Sequence, residues 1–362
     1  AALRVTGPVA PVLELTTGAA LCLWHRQTGW LRMLRAGRGL LLLAGVTLPW
    51  AIMVTLATDG AFLDIACRGD FVAKVQSGQE SHGAPVGTYL MLVPLLIWPA
   101  SLLLPRAVAQ MPVLLEHVES RFLLAWIVPF WVLIEFVPTK LPHYPMPVLP
   151  ALAVLLVCAV DAPLAGAAKG GMRTVARRWL ALAGDCAMLA AGPLMAAAVM
   201  WAALTYGGVT SGRAFAFAML AALMVGLALW QGIVWHRHGG IMPVARVLAA
   251  GLAFHLIVIA GLIPSLSRVH VARAIDAQIT QDGGYPPAMA AAGFHEPSLV
   301  FHLGRDLLLV DGGEAALFLA EAADGLAIIE RDQQQAFLEM ADRVGLRLAP
   351  PQQLGGVNLS KG

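Results

Sequence analysis

Through the first two-thirds of the chain, long apolar runs alternate with short polar breaks. About eight of these runs approach the roughly 20 residues that a helix needs to cross the hydrocarbon core, each bounded by charge, Gly or Pro. They extend from Val5 to Trp24, Gly39 to Ala57, Val86 to Leu104 and Phe122 to Val137, then from Pro145 to Ala165, Leu180 to Tyr206, Ala214 to Trp235 and Val247 to Ile263. Internal prolines such as Pro49, Pro94 and Pro129 do not veto these spans, because neighbouring helices in a bundle can satisfy the backbone groups that proline frees.

From Pro264 onward charges are interspersed and the apolar stretches shorten. The segments Ser298 to Leu303, Asp306 to Val310 and Leu326 to Ile329 have the length and composition of strands, and helical spacing is carried by Glu314 to Ala323 and Arg331 to Val344. The pattern predicts a polytopic α-helical membrane protein of about eight transmembrane helices over residues 1–263 and a small α/β domain over residues 264–362.

Composition agrees with the membrane assignment: 59% of residues are hydrophobic and 13% charged, where a soluble domain is about 25% charged. The formal net charge of +2 and the absence of a basic stripe argue against a nucleic-acid partner. The four cysteines show no CxxC spacing, which disfavours a disulfide framework or zinc knuckle. With no initiator Met and no signal-peptide pattern, the sequence reads as a fragment or a processed chain.

Orientation follows from Lys and Arg in the short loops. Alternate loops hold Arg26, Arg32, Arg35 and Arg38, then Arg106 and Arg121, then Lys169, Arg173, Arg177 and Arg178, and finally Arg237 and Arg246; these face the cytoplasm. The intervening loops hold Arg68, Lys74, Lys140 and Arg213. An even number of spans then puts the small domain outside the cytoplasm, on the same side as the loop Thr58 to Pro85.

Two outer segments carry candidate chemistry. Gln79-Glu-Ser-His-Gly-Ala-Pro85 sets Glu80 and His82 two residues apart before the third span, where they could share a metal or an anionic headgroup; the segment also fits a solvated helix start. In Glu135-Phe-Val-Pro-Thr-Lys-Leu-Pro-His-Tyr144, the ionisable residues Glu135, Lys140, His143 and Tyr144 stand at interfacial depth, where such groups commonly mark a site. Lys and Tyr there suit a phosphate, and equally suit a snorkelling Lys and an anchoring Tyr. Glu14 and His255 are isolated within predicted spans. Hydrolase, metalloprotease and P-loop signatures are absent.

These two segments together resemble the bacterial membrane glycosyltransferases related to lipid A aminoarabinose transferase and the protein O-mannosyltransferases, the GT-C family. The resemblance runs from Gly7-Pro8 to Gly355-Gly-Val-Asn-Leu-Ser-Lys-Gly362. It implies a multi-pass protein of the bacterial inner membrane with a periplasmic C-terminal domain, acting in the cell envelope on a lipid, such as lipid A, or on a protein acceptor. The donor would be a sugar on a polyprenyl phosphate. Lys140 and Tyr144 match the family's Lys-Leu-Pro-x-Tyr beside the carrier phosphate, with His143 at the variable position. His82 matches the His of a Gln-His-Lys-Ala-Pro-like segment, where the family can hold a divalent metal; Gly83 replaces its Lys. Glu80 and Glu135 would be supporting groups. The family's acidic catalytic residue lies in a first outer loop, whose place would be upstream of Ala1.

Two readings from other classes compete: a transporter or flippase for lipid-linked sugars, which would favour inverted repeats and midplane charges, and a non-enzymatic membrane scaffold. The Arg asymmetry yields a direct expectation for topology. A cysteine at Ser298 should react with an impermeant thiol reagent in intact cells and one at Gly37 should not; the opposite labelling would invert the orientation.

Overall fold

The computed structural model describes residues 9–64, 83–161, 172–322 and 324–358. It divides into two compact units, one made of Ala1–Met195 with Met224–Leu252, the other of Ala196–Leu223 with Ala253–Gly362.

The first unit opens with α1 (Val9–His25) and α2 (Ala36–Ala57), followed by α3 (Thr88–Leu96), α4 (Leu104–Ala109), α5 (Val118–Phe136) and α6 (Leu149–Asp161). The chain then enters the long helices α7 (Met172–Tyr206), α8 (Ser211–His238) and α9 (Ile241–Ile257). Its core gathers Tyr89, Leu123, Ile127, Phe130, Ile134, Leu155 and Leu156 from α3, α5 and α6, with Val148 from the turn before α6, and α1 packs along α5. The exposed faces stay apolar: Leu40, Leu41, Leu42, Met53 and Leu56 of α2 are all exposed, the signature of a helix meant for lipid rather than water.

Among the described residues four helices are long and apolar enough to cross a membrane: Gly37–Ala57, Leu189–Tyr206, Gly208–Trp235 and Ile241–Ser265. A bent pair, Thr88–Leu96 with Ala100–Ala109, makes five if it counts as one span. Among the described residues the eight spans expected from hydropathy are therefore not confirmed, and four or five are found. The predicted run Val86 to Leu104 is continuous in composition but turns by 112° between its two helices, with Pro94 inside the first and Pro99 in the break, positions where a helix loses a donor and clashes with the preceding turn. The run Val5 to Trp24 gives a helix of 17 residues, and Pro145 to Ala165 gives the short apolar helix Met146–Val160. In the 19 residues of α5 stand Glu119, Arg121 and Glu135.

The second unit joins the C-terminal part of α7 and the N-terminal part of α8 to the last turns of α9 and the small domain. Ala203, Ala214, Ala218 and Leu262 form a tightly packed seam, small side chains permitting close backbone approach as membrane helix contacts require. A Cβ on Gly261 would lie 2.4 Å from the Phe217 ring.

The small domain runs α10 (Val271–Gln281), β1 (Ala288–Ala292), α11 (Pro297–Leu303), β2 (Leu308–Val310), α12 (Gly312–Glu321), β3 (Gly325–Ile329) and α13 (Gln334–Arg343). Its sheet has the order β2-β1-β3, all parallel, with Ala290 opposite Leu308 on one side and Ala327 on the other. Each parallel step needs a crossover helix, supplied by α11 and α12. Met289, Ala291, Leu326 and Ile328 face α10 and α11, whereas Ala292, Ala327 and Ile329 face α12 and α13. A capping box starts α12: Asp311 Oδ1 accepts from Glu314 N at 2.8 Å and Glu314 Oε2 accepts from Asp311 N at 3.2 Å.

The expected strand from Ser298 to Leu303 is instead a helix. Pro297 at its first position presets φ for a helix, and Gly304, with φ of 99°, ends it. The central strand is Ala-Met-Ala-Ala-Ala, a segment whose intrinsic preference is helical. Ala290, Ala291 and Ala292 are fully buried, and their small size lets helices pack closely on both faces of the sheet. Ala291→Leu should overfill that layer and lower the domain's stability by about 1–3 kcal/mol, while Phe301→Ala at an 86% exposed position should change it by less than about 0.5 kcal/mol. Thermal resistance of the small domain to protease, in detergent-solubilised full chain, measures both.

Candidate functional site

α5 cannot continue past Phe136. Pro138 drives Val137 into extended geometry, with φ of −71° and ψ of 123°, and Pro142, Pro145 and Pro147 keep the following residues irregular. The end of α5 is thus left with carbonyls that have no partner within the helix. Lys140 folds back over them, donating from Nζ to Glu135 O at 2.7 Å, to Ile134 O at 3.3 Å and to Val137 O. An ammonium has three donors, and all three are used. Lys140 is 8% exposed, and its Nζ stands 5.6 Å from the centroid of the Tyr89 ring, a cation-π distance.

Glu135 serves the opposite pole of a second helix. Its Oε2 accepts from Gly87 N and its Oε1 from Leu90 N, both at 2.9 Å. These donors belong to the entry of α3, where free N–H groups and the helix dipole favour negative charge. Tyr89, one residue into α3, is fully buried and donates from its hydroxyl to Leu141 O at 2.9 Å. Gly83 pairs with Thr139 in an antiparallel bridge and Ala84 N donates to Pro138 O at 3.3 Å.

Gly83 and Ala84, from the described end of the first candidate stretch, are therefore docked on Pro138 and Thr139 of the second, some fifty positions away. Within the second stretch, Tyr144 packs against the core of the unit and meets exposed His143 edge-on, ring centroids 5.1 Å apart. Burial pushes the Lys140 ammonium below its ordinary pKa, opposed by the Glu135 charge, and pushes the Tyr144 phenol up. The upward shift keeps the Tyr144 phenol in its protonated, donating form, whereas the burial of Lys140 works against its charge.

Glu80 and His82 lie outside the described residues. Among the described residues no three His, Cys, Asp or Glu side chains converge as a metal site would require. Glu14 is on the exposed side of α1, and His255, in the second unit, is exposed on α9 in edge contact with Phe254. Sequence reasoning missed Tyr89. Its only signal is an aromatic residue just inside a predicted helix start, a common pattern in membrane proteins.

The architecture is that of a polytopic helical membrane protein that carries a small parallel α/β domain, with Gly83 and Ala84 bonded to Pro138 and Thr139 beyond the end of α5. This is the fold of ArnT from Cupriavidus metallidurans. A crystal structure of that protein bound to undecaprenyl phosphate superposes with a TM-score of 0.61 at 18% identity, and one in the apo state with 0.60 at 19%. Each comparison covers 93% of this chain and 63% of that chain, so the chain spans less than two-thirds of the length of these structures. At this identity the likeness establishes the fold, and it bears out, at that level, the resemblance to lipid A aminoarabinose transferase read from the two motifs. No protein-family model matches the chain, and no curated protein matches it.

If Lys140 closes the end of α5, then Lys140→Met should leave buried carbonyls unpaired and lower the stability of the detergent-solubilised protein by about 1–3 kcal/mol. Tyr89→Phe, which removes one neutral hydrogen bond, should cost about 1 kcal/mol. Thermal melting of the two variants gives the order, and equal melting of Lys140→Met and wild type would remove the capping role.

Proposed function

We propose that this protein is a membrane glycosyltransferase that transfers a sugar from a polyprenyl phosphate carrier to a lipid or protein acceptor, at the outer face of the bacterial inner membrane. The observation that carries the reading is the docking of Gly83 and Ala84 on Thr139 and Pro138, immediately before the Lys140 to Tyr144 turn, within a fold shared with a protein whose crystal structure holds undecaprenyl phosphate. A carrier phosphate has one charged group to be met at one place, and this turn supplies a cation, a phenol and an imidazole within five consecutive residues.

In the reaction the acceptor oxygen forms a bond to the anomeric carbon while the bond from that carbon to the phosphate oxygen breaks. The electron pair leaves with the phosphate, and the acceptor proton passes to a base. Positive charge builds on the sugar and negative charge on the phosphate, so fixed donors beside the phosphate stabilise the transition state more than the ground state. Tyr144 donates a hydrogen bond, His143 stands exposed beside it, and Lys140 contributes its charge through a medium of low dielectric. A direct Lys140 contact would need one of its three carbonyl partners to be released. A divalent metal held in part by His82 belongs to the same proposal; it would neutralise further phosphate charge.

In full-length protein, assayed well below the melting temperature, Lys140→Ala and Tyr144→Phe should each lower transfer by roughly ten-fold or more with membrane insertion intact. His82→Ala should lower transfer and remove its dependence on added divalent metal. Wild-type rates in the first two variants would leave the turn as an interfacial anchor, and transfer insensitive to both chelator and His82→Ala would remove the metal.

A further inference from the structure

Glu135 takes no part in the proposed reaction, yet it is only 7% exposed and spends both carboxylate oxygens on backbone N–H groups of another element, Gly87 and Leu90. A buried carboxylate is costly unless its oxygens are paired, and here the pairing spans 48 and 45 positions of sequence. The two donors lie three and six residues after Ala84, which with Gly83 bonds to Pro138 and Thr139. The main-chain oxygen of the same Glu135 accepts from Lys140 Nζ. One residue therefore grips the outer segment with its side chain and the Lys140 turn with its backbone.

No other side chain keeps both N–H contacts. An amide offers a single acceptor oxygen, and its NH2 would face a backbone N–H, donor against donor. Aspartate is one methylene shorter and cannot reach both nitrogens from the same backbone position.

We propose that Glu135 is a positioning residue: by clamping the entry of α3 it holds the Gly83–Pro85 segment against the Lys140–Tyr144 turn, and so fixes the two halves of the donor-phosphate site relative to each other. The functional consequence rests on the glycosyltransferase reading, whereas the clamp itself does not.

The test uses Gly83→Cys with Thr139→Cys in the full-length membrane protein, since residues paired across an antiparallel bridge come within disulfide reach, with Cα atoms about 4.5–5.5 Å apart. With Glu135 present, mild oxidation should join the pair rapidly. In Glu135→Gln and Glu135→Asp, both checked for monodisperse, folded protein, the rate should fall by at least about five-fold, the scale of a lost hydrogen bond to charge. Transfer from a polyprenyl phosphate sugar should drop by roughly ten-fold on Glu135→Gln in the reduced pair. Once the pair is oxidised, the same substitution should change transfer by less than about two-fold, because the cross-link replaces the clamp. A purely structural or a chemical role for Glu135 would give the same loss in both states. Equal cross-linking rates in all three backgrounds, or a loss that oxidation does not rescue, would overturn the clamp. If Glu135 governs cross-linking while the parent protein transfers no sugar, the clamp stands and the glycosyltransferase reading falls.

Discussion

Where a helix ends beside the apolar core of a bilayer, its last carbonyls and first N–H groups cannot turn to water, and each one left unmet costs free energy. The described structure answers this constraint at one helix end after another with a polar side chain reaching from nearby. Lys140 closes α5 and Glu135 opens α3. Arg106 donates to Ala159 O at 3.0 Å and Val160 O at 2.9 Å, closing α6. In the second unit, Ser267 Oγ donates to Gly207 O at 2.7 Å and Arg268 to Thr205 O at 3.2 Å, closing α7. Glu135, Lys140, Arg106 and Arg268, ionisable residues beside apolar runs, are all placed to meet helix-end groups.

This constraint shapes the candidate site. The prolines after Phe136 break α5, the break exposes carbonyls, and the carbonyls draw in Lys140, which brings a buried positive charge to the turn that follows. The same break leaves Glu135 at the last turn of α5, where its carboxylate meets α3. Structural and chemical roles for Lys140 are thus compatible: the cap fixes where the charge sits, and a fixed charge needs no reorganisation when negative charge develops beside it. The proposed transfer uses a position that the fold has to fill with a cation in any case.

The small domain obeys a different rule. Its sheet is parallel and covered by helices on both faces, so the middle strand has no solvent side and need not alternate. Alanine there is a packing choice. A larger residue would push α10 and α11 away from one face or α12 and α13 from the other, and Gly312 shows the same closeness, since a Cβ there would lie 2.4 Å from Gln333 O.

The sequence by itself determined the membrane character, the small C-terminal α/β domain, the strands near residues 308 and 326, the helices on either side of the latter, and two candidate stretches, of which the described end of the first meets the second. These are properties of composition, short-range periodicity and local turn chemistry. Tertiary structure decided the rest. Whether an apolar run is one straight span depends on how a proline break is packed, as the 112° turn between α3 and α4 illustrates; hydropathy counts apolar residues and is blind to bends. β1 was hidden because alanine favours helix when alone, and becomes strand only when neighbours on both sides supply the ladder. The pairing of Glu135 with Gly87 and Leu90, and the place of Tyr89 beneath Lys140, join residues some fifty positions apart, and no local pattern encodes a contact that exists only once the chain has returned to meet it.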